Sequence, residues 1–221
     1  MFKTLSFKLM SMLSIVALLS ACAQPVKRPD YTAFKKSQPR SILVLPPINE
    51  TSDVAATYGM LSQMTLPLAE SGYYVVPVAV MDETFKQNGL TNPTEIQQTS
   101  PAKLREIFGA DAALYSKVSQ YGTVYRVLAS ATVVSASAKL VDLRTGDVLW
   151  QGRASASSDE GGNNGGGGLI GMLVTAAVKQ IANTLMDQSH NVAGVTSGRL
   201  LSAGPPNGLL YGPHSPKYGT D

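Results

Sequence analysis

The sequence predicts a single α/β domain, a mixed β-sheet with helices packed on it, followed by a C-terminal helix and an extended tail. Three observations predict it. Ser41-Ile42-Leu43-Val44-Leu45 is a short apolar run stopped by Pro46-Pro47, the signature of a buried central strand. Val54 to Glu70 places apolar residues at 54, 58, 61, 64 and 68, near helical spacing, and Gly72 ends the segment. Asp142-Leu143-Arg144-Thr145-Gly146-Asp147 reads as a tight turn between the alternating stretch Leu128 to Leu143 and the strand Val148-Leu149-Trp150-Gln151-Gly152. Strand and helix in alternation, then a hairpin, imply parallel and antiparallel neighbours in one sheet.

The N-terminus is a segment of another kind. Lys3 and Lys8 form a short basic region, and Leu9 to Leu19 is apolar apart from two serines. That run has the length of a signal-peptide core and is too short to span a hydrocarbon layer about 30 Å thick. Leu19-Ser20-Ala21-Cys22 follows, and it resembles the lipobox of bacterial lipoproteins. The resemblance implies cleavage after residue 21 and lipid on Cys22. The competing reading is an ordinary small-residue cleavage site beside an incidental cysteine. Cys22 is the only cysteine, and a lone thiol in an exported chain has no internal disulfide partner, so lipidation explains it better. About two acyl chains suffice for stable anchoring. Residue 23 is Ala rather than Asp, which by the same resemblance implies the outer membrane, with the domain facing the periplasm.

Removing residues 1–21 takes Lys3 and Lys8 away and lowers the net charge from +3 to +1. A chain so near neutrality has no global field for nucleic acid. Residues 22–39 mix prolines with lysines and lack apolar periodicity, and they read as a lipidated tether. Their basic residues Lys27, Arg28, Lys35 and Lys36, with Arg40 at the end, serve solubility or lie near anionic headgroups.

The expected domain spans 40–190. Asn49 to Asp53 offers several capping side chains, with Asp53 the expected N-cap of the helix that follows. Tyr73 to Val80 reads as a second strand, where Pro77 marks a bulge or an exit. Met81 to Gln87 is a short helix closed by Asn88-Gly89, and Asn92-Pro93 begins a turn. Ser100 and Pro101 take the N-cap and N1 positions of a helix that runs to Phe108 and stops at Gly109. Ala112 to Gln120 is a third strand. Gly161 to Gly168 is a flexible loop, and Leu169 to Met186 a helix with a broad apolar face. The tail, 191–221, is glycine- and proline-rich yet keeps Leu200, Leu201, Leu209, Leu210 and Tyr211. It either packs along the domain or is kept for a partner.

The chemistry of catalysis is poorly provided for. The two histidines, His190 and His214, lie in or beside the tail, and no H-x-x-x-H or cysteine pair is present, so no metal site is expected. No G-x-S-x-G occurs. The glycine run leads into Leu169-Ile170 instead of the lysine and hydroxyl that a phosphate loop needs. The carboxylate pairs Asp82/Glu83 and Asp159/Glu160 sit where capping and solubility call for them. The expectation is a non-enzyme without a cofactor.

Ile42-Leu43-Val44-Leu45-Pro46-Pro47-Ile48-Asn49-Glu50-Thr51-Ser52 resembles a motif of bacterial envelope proteins. These include the periplasmic domain of CsgG, the N-domain of TolB, and LpoB. With the lipobox, the hairpin from Leu140 to Trp150 and the glycine-rich turn, the chain most resembles a family of bacterial lipoproteins of unknown function encoded beside a CsgG-like protein. The resemblance implies a TolB N-domain/CsgG-like fold and an accessory role in an envelope secretion or transport assembly. The implied partner is a CsgG-like outer-membrane protein or a second copy of the chain. An LpoB-like regulator of peptidoglycan synthesis is the alternative. Candidate partner-binding residues are Leu200, Leu201, Leu209, Leu210 and Tyr211 in the tail, and Pro47 and Asn49 in the turn, for which helix capping is the plainer reading. CsgG adds amphipathic hairpins to a pore, but in Tyr121 to Leu140 the charges of Arg126 and Lys139 fall on opposite parity. A soluble hairpin is the expectation there.

Overall fold

The computed structural model describes residues 29–125, 130–160 and 188–221. Strand β1 (Ser41–Val44) lies inside the sheet, with Ile42, Leu43, Val44 and Leu45 all 0 % exposed. Burial on both faces is what its unbroken apolar run requires. Strand β2 (Ile48–Asn49) follows the two prolines, and β3 (Tyr74–Val75) is a short edge strand. The three long strands are β4 (Ala112–Tyr125), β5 (Ser130–Asp142) and β6 (Val148–Ser157). The sheet order is β3-β1-β4-β5-β6, and β2 pairs with β4 further along the same edge as β1. Strands β1, β2 and β3 enter in parallel, whereas β4, β5 and β6 form an antiparallel meander.

This order places the helices. The connection from β1 to β3 runs through α2 (Ala56–Glu70). The return from β3 to β4 passes through α3 (Val78–Gln87), α4 (Pro93–Gln97) and α5 (Pro101–Phe108). The crossovers travel in opposite directions, so right-handed connections put α2 on one face and α3 to α5 on the other. Helix α6 (Gln188–Leu201) joins α2 on its face. There Met60 and Met64 are fully buried, and the Ser197 and Ser116 hydroxyls lie 3.6 and 3.8 Å from their sulfurs. The opposite face is covered only over β1, β2 and the start of β4, where Gln97 of α4 donates to the Pro46 and Ser116 carbonyls. Over the rest of β4, β5 and β6 none of the described residues covers it.

The mixed sheet, its packed helices and the C-terminal helix agree with the fold class expected from the sequence. Ser100 caps α5 as expected, Gly109 ends it at φ 65, and the hairpin turn joins β5 to β6. Other expectations are corrected. Asp53 does not cap α2, whose N-cap is Ala55. Asn49, Thr51 and Asp53 instead accept in succession from the N–H groups of Thr51, Asp53 and Ala55, and these local turns delay the helix. Tyr73 to Val80 holds only a two-residue strand, because Pro77 takes the N-cap position and Val78 to Val80 enter α3. Asn92-Pro93 begins a helix, capped by Asn92 accepting from the Thr94 N–H.

Both ends of the domain also differ. Within the stretch expected to be tether, α1 (Thr32–Ser37) is helical, Phe34 is buried, and the Tyr31 hydroxyl donates to the Gly208 carbonyl at 2.6 Å. The tail is not a free extension: its first residues belong to α6, and the remainder docks on the turn after α2. The Gly212 N–H donates to the Ser71 carbonyl and the His214 N–H to that of Gly72. At Gly72 φ is +95, and a Cβ there would stand 2.4 Å from the Ser215 nitrogen, so close approach and left-handed backbone both call for glycine. The expected signal peptide, Cys22, Arg126, the loop 161–168 and the helix from Leu169 to Met186 lie outside the described residues.

Candidate functional site

The residues expected to bind a partner are placed differently from that expectation. Leu200, Leu201 and Leu209 are 2 %, 0 % and 0 % exposed, so their apolar surface is spent inside the domain. Pro47 is buried, and Leu210, Tyr211 and Asn49 are half-buried. The Leu210 carbonyl accepts from the Tyr73 hydroxyl, and the Tyr211 N–H donates to Asp221. Asn49 accepts from Thr51 and donates to the Asp53 carbonyl at 2.7 Å, which makes the turn a capping device. The Trp150 indole N–H donates to the Asn207 carbonyl and ties the tail to β6. Packing accounts for Leu200, Leu201, Leu209 and Pro47 and capping for Asn49, the plainer readings of the tail and the turn, while Leu210 and Tyr211 stay half-buried.

Among the described residues, what remains uncovered is the outer face of the meander. Cross-strand register sets three rows of side chains on it: Tyr115, Lys139 and Gln151, then Lys117, Ser137 and Arg153, then Gln120, Ser135 and Ser155. The alternate residues on these strands, such as Leu114, Leu140 and Trp150, face α2, α6 and the tail. A bulge between Val118 and Gln120 takes up Ser119 and keeps the third row in phase. Tyr115 is buried at the inner end of its row, under the Lys139 ammonium, 5.2 Å from the ring centroid. The other residues of the rows are exposed, apart from half-buried Ser135. The first two rows and Gln97 line an open concavity of about 600 Å³.

Its electrostatics are one-sided. None of the nine positions is acidic. Lys117 pairs at 2.9 Å with Glu50, from beyond β2, and both side chains are about half exposed, so the pair is weak and exchangeable. Among the described residues Arg153 has no hydrogen-bond or ion-pair partner. Ser135 bonds to Gln120 and Ser155, which orients the third row. The sequence reading missed this site, though its signal was present: Ser135, Ser137 and Lys139 alternate with Val134, Ala136, Ala138 and Leu140.

Two carboxylates elsewhere are held ionised by structure. Burial disfavours the charged form of Asp142, but the Ser37 hydroxyl, the N–H groups of Arg144 and Thr145 and the Arg144 guanidinium outweigh it and lower its pKa. Asp111 is likewise disfavoured by burial, and the Arg40 N–H, Arg105 guanidinium and Ser41 donors bring its pKa down. Both tie the N-terminal segment to the hairpin and to β4, a structural task. Among the described residues no group of three or more His, Cys, Asp or Glu could hold a metal ion.

A family model named "Putative lipoprotein GNA1162-like" matches residues 29–214. The chain belongs to this family. A curated relative, Putative lipoprotein NMB1124/NMB1162 of Neisseria meningitidis serogroup B strain MC58, is 54% identical over 203 residues, covering 91% of this chain and 93% of the relative. Among solved structures, lipoprotein GNA1162 from Neisseria meningitidis shares 57% identity at a TM-score of 0.54, covering 66% of this chain and 100% of that one. A fainter likeness is to LpoB of Escherichia coli, with 17% identity and a TM-score of 0.41 over 60% of this chain and 72% of that one, too slight to transfer a function. The GNA1162-like family is a lipoprotein family, which suits a lipid anchor. Among the described residues no helix is long and apolar enough to cross a membrane.

Proposed function

We propose that this GNA1162-like protein is a non-enzymatic accessory lipoprotein held at the outer membrane by lipid on Cys22, its domain facing the periplasm. In this reading it serves a CsgG-like secretion or transport assembly by binding its outer-membrane component. The observation that supports it is where the domain begins. The Tyr31 bond to Gly208 and the burial of Phe34 leave only residues 23–30 between anchor and fold. Eight residues span at most on the order of 30 Å, even fully extended. That is short for reaching a synthase in the inner membrane, which weighs against the alternative, an LpoB-like regulator of peptidoglycan synthesis. A partner in the same membrane needs no such reach.

With the tail leucines buried, the contact surface must be sought elsewhere. Tyr58 and Leu66, 49 % and 63 % exposed, stand eight residues apart on α2, and Val54, 91 % exposed, lies in the turn just before it. Photo-crosslinking residues at 54, 58 and 66 of the full lipidated chain, activated in native membranes, test the proposal. A CsgG-like outer-membrane protein is the expected adduct. A peptidoglycan synthase in its place favours the alternative, and self-adducts alone reduce the reading to homo-oligomerisation.

A further inference from the structure

The open face of the meander has a composition that neither the packing nor the proposed assembly role uses. Adjacent strands stand about 4.8 Å apart and same-face residues about 6.8 Å apart along a strand. Lys117 and Arg153 share a row two strands apart, so their backbones are separated by about 10 Å, with Ser137 between them. Lys139 stands in the next row on the middle strand. The three cations therefore form a triangle whose gaps are filled by hydroxyl and amide side chains.

From this array we propose that the open face of β4, β5 and β6 binds an anionic glycan, a polyhydroxylated chain bearing spaced carboxylates. Three features choose this occupant. Hydroxyls and amides outnumber the cations in the array, which suits a ligand rich in hydroxyls and sparing in charge. A polyphosphate or nucleic acid calls for denser lysine and arginine. The array holds no aliphatic side chain to receive an acyl chain, which disfavours a lipid surface. An extended acidic peptide draws its affinity from main-chain bonding at a sheet edge, but β5, central to the face, is already paired on both sides. The concavity is open to solvent, so a chain can lie across it without threading.

Arg153 is the primary contact: it is exposed, has no described partner, and can meet a carboxylate with two parallel bonds. Lys139 over the Tyr115 ring supplies a second charge, and Ser137 and Gln151 donate to hydroxyls. Lys117 exchanges Glu50 for the ligand at little cost. The inference stands apart from the CsgG-like partner, because it concerns a different face and a purified component.

The test is calorimetric titration of the full lipidated chain in neutral detergent. Alginate oligosaccharide is the anionic glycan, dextran oligosaccharide the neutral one and polyglutamate the acidic peptide. Vesicles containing phosphatidylglycerol provide an anionic lipid surface. Alginate is expected to bind, more weakly as salt shortens the screening length. Arg153→Gln with Lys139→Gln is expected to weaken that binding by at least about tenfold. Lys103→Gln, on α5 and paired with Glu106, is expected to leave it unchanged. Absence of alginate binding at millimolar ligand overturns the proposal. So does equal binding of dextran, tighter binding of polyglutamate or of vesicles, or affinity that the double variant leaves intact.

Discussion

The C-terminal segment and the open face of the meander exchange the roles that their compositions suggest. The stretch from residue 191 to 221 has the glycine and proline content of a linker, with apolar pairs that invite a partner. Yet Leu201 and Leu209 are fully buried, and its backbone is tied to the turn at Gly72. The meander reads as an ordinary soluble hairpin, yet it carries a broad polar surface that none of the described residues covers. Apolar pairs in a loose segment thus report where the fold closes on itself. Polar parity on a long strand reports where it stays open.

The sharpest way to break this comparison is to cut into the segment that should be dispensable were it a partner-binding tail. Leu201→Ala and Leu209→Ala each remove a fully buried side chain, and each is expected to destabilise the domain by about 2–5 kcal/mol. Leu66→Ala removes the same atoms from a residue 63 % exposed and is expected to cost no more than about 0.5 kcal/mol. Urea denaturation of the three variants checks this. Equal midpoints would return the tail leucines to the surface.

Much of the frame was legible because it rests on local chemistry. The apolar run at β1, the Ser100-Pro101 start of α5 and the turn at Gly146 each carry their signal within a few residues. What was not legible depends on distant contacts. Helix α1 has one buried anchor, Phe34, and Tyr31 is held by a carbonyl 177 positions away, which no periodicity within 31–37 can announce. The tail is ordered by Ser71 and Gly72 and by Trp150, all far from it in sequence. The open face was half legible. Alternation in β5 shows that one set of side chains points outward, but only the register with β4 and β6 aligns Lys117, Ser137 and Arg153 into a row.

The joint between α1 and the hairpin turn responds to acid. Asp142, 1 % exposed at the hairpin turn, holds α1 through Ser37 and the turn through Arg144 and Thr145. Its pKa, like that of Asp111, lies below the usual carboxylate value. Their stabilisation is therefore complete above the unfolded value of about 3.9 and is lost as pH falls through the lower folded values. Thermal stability is expected to be level from neutrality to about pH 4 and to drop below it. Asp142→Asn cannot ionise, and its cost at pH 7 should be about 1–3 kcal/mol. Toward pH 2 the gap between variant and parent is expected to narrow, as the parent's own carboxylate is protonated. A gap of constant size across that range would mean that the charge of Asp142 plays no part.

The smallest expected effect bears most directly on the open face. If Lys139, Arg153 and Ser137 belonged to the fold as the tail leucines do, replacing them would cost stability. Their side chains are exposed, and their backbone bonds to neighbouring strands do not depend on the side chain. Arg153→Gln and Ser137→Ala are therefore each expected to shift stability by no more than about 0.5 kcal/mol, and Lys139→Gln by no more than about 1 kcal/mol. Losing the contact of Lys139 with the Tyr115 ring should account for most of what is seen, since an exposed cation–π pair contributes about 0.5–1 kcal/mol at most. Differential scanning calorimetry of the three variants decides it. A larger loss at Arg153 would make the row a structural element and remove its claim to be a surface kept for a ligand. A negligible one leaves three strands of aligned cations and hydroxyls that the fold itself does not need.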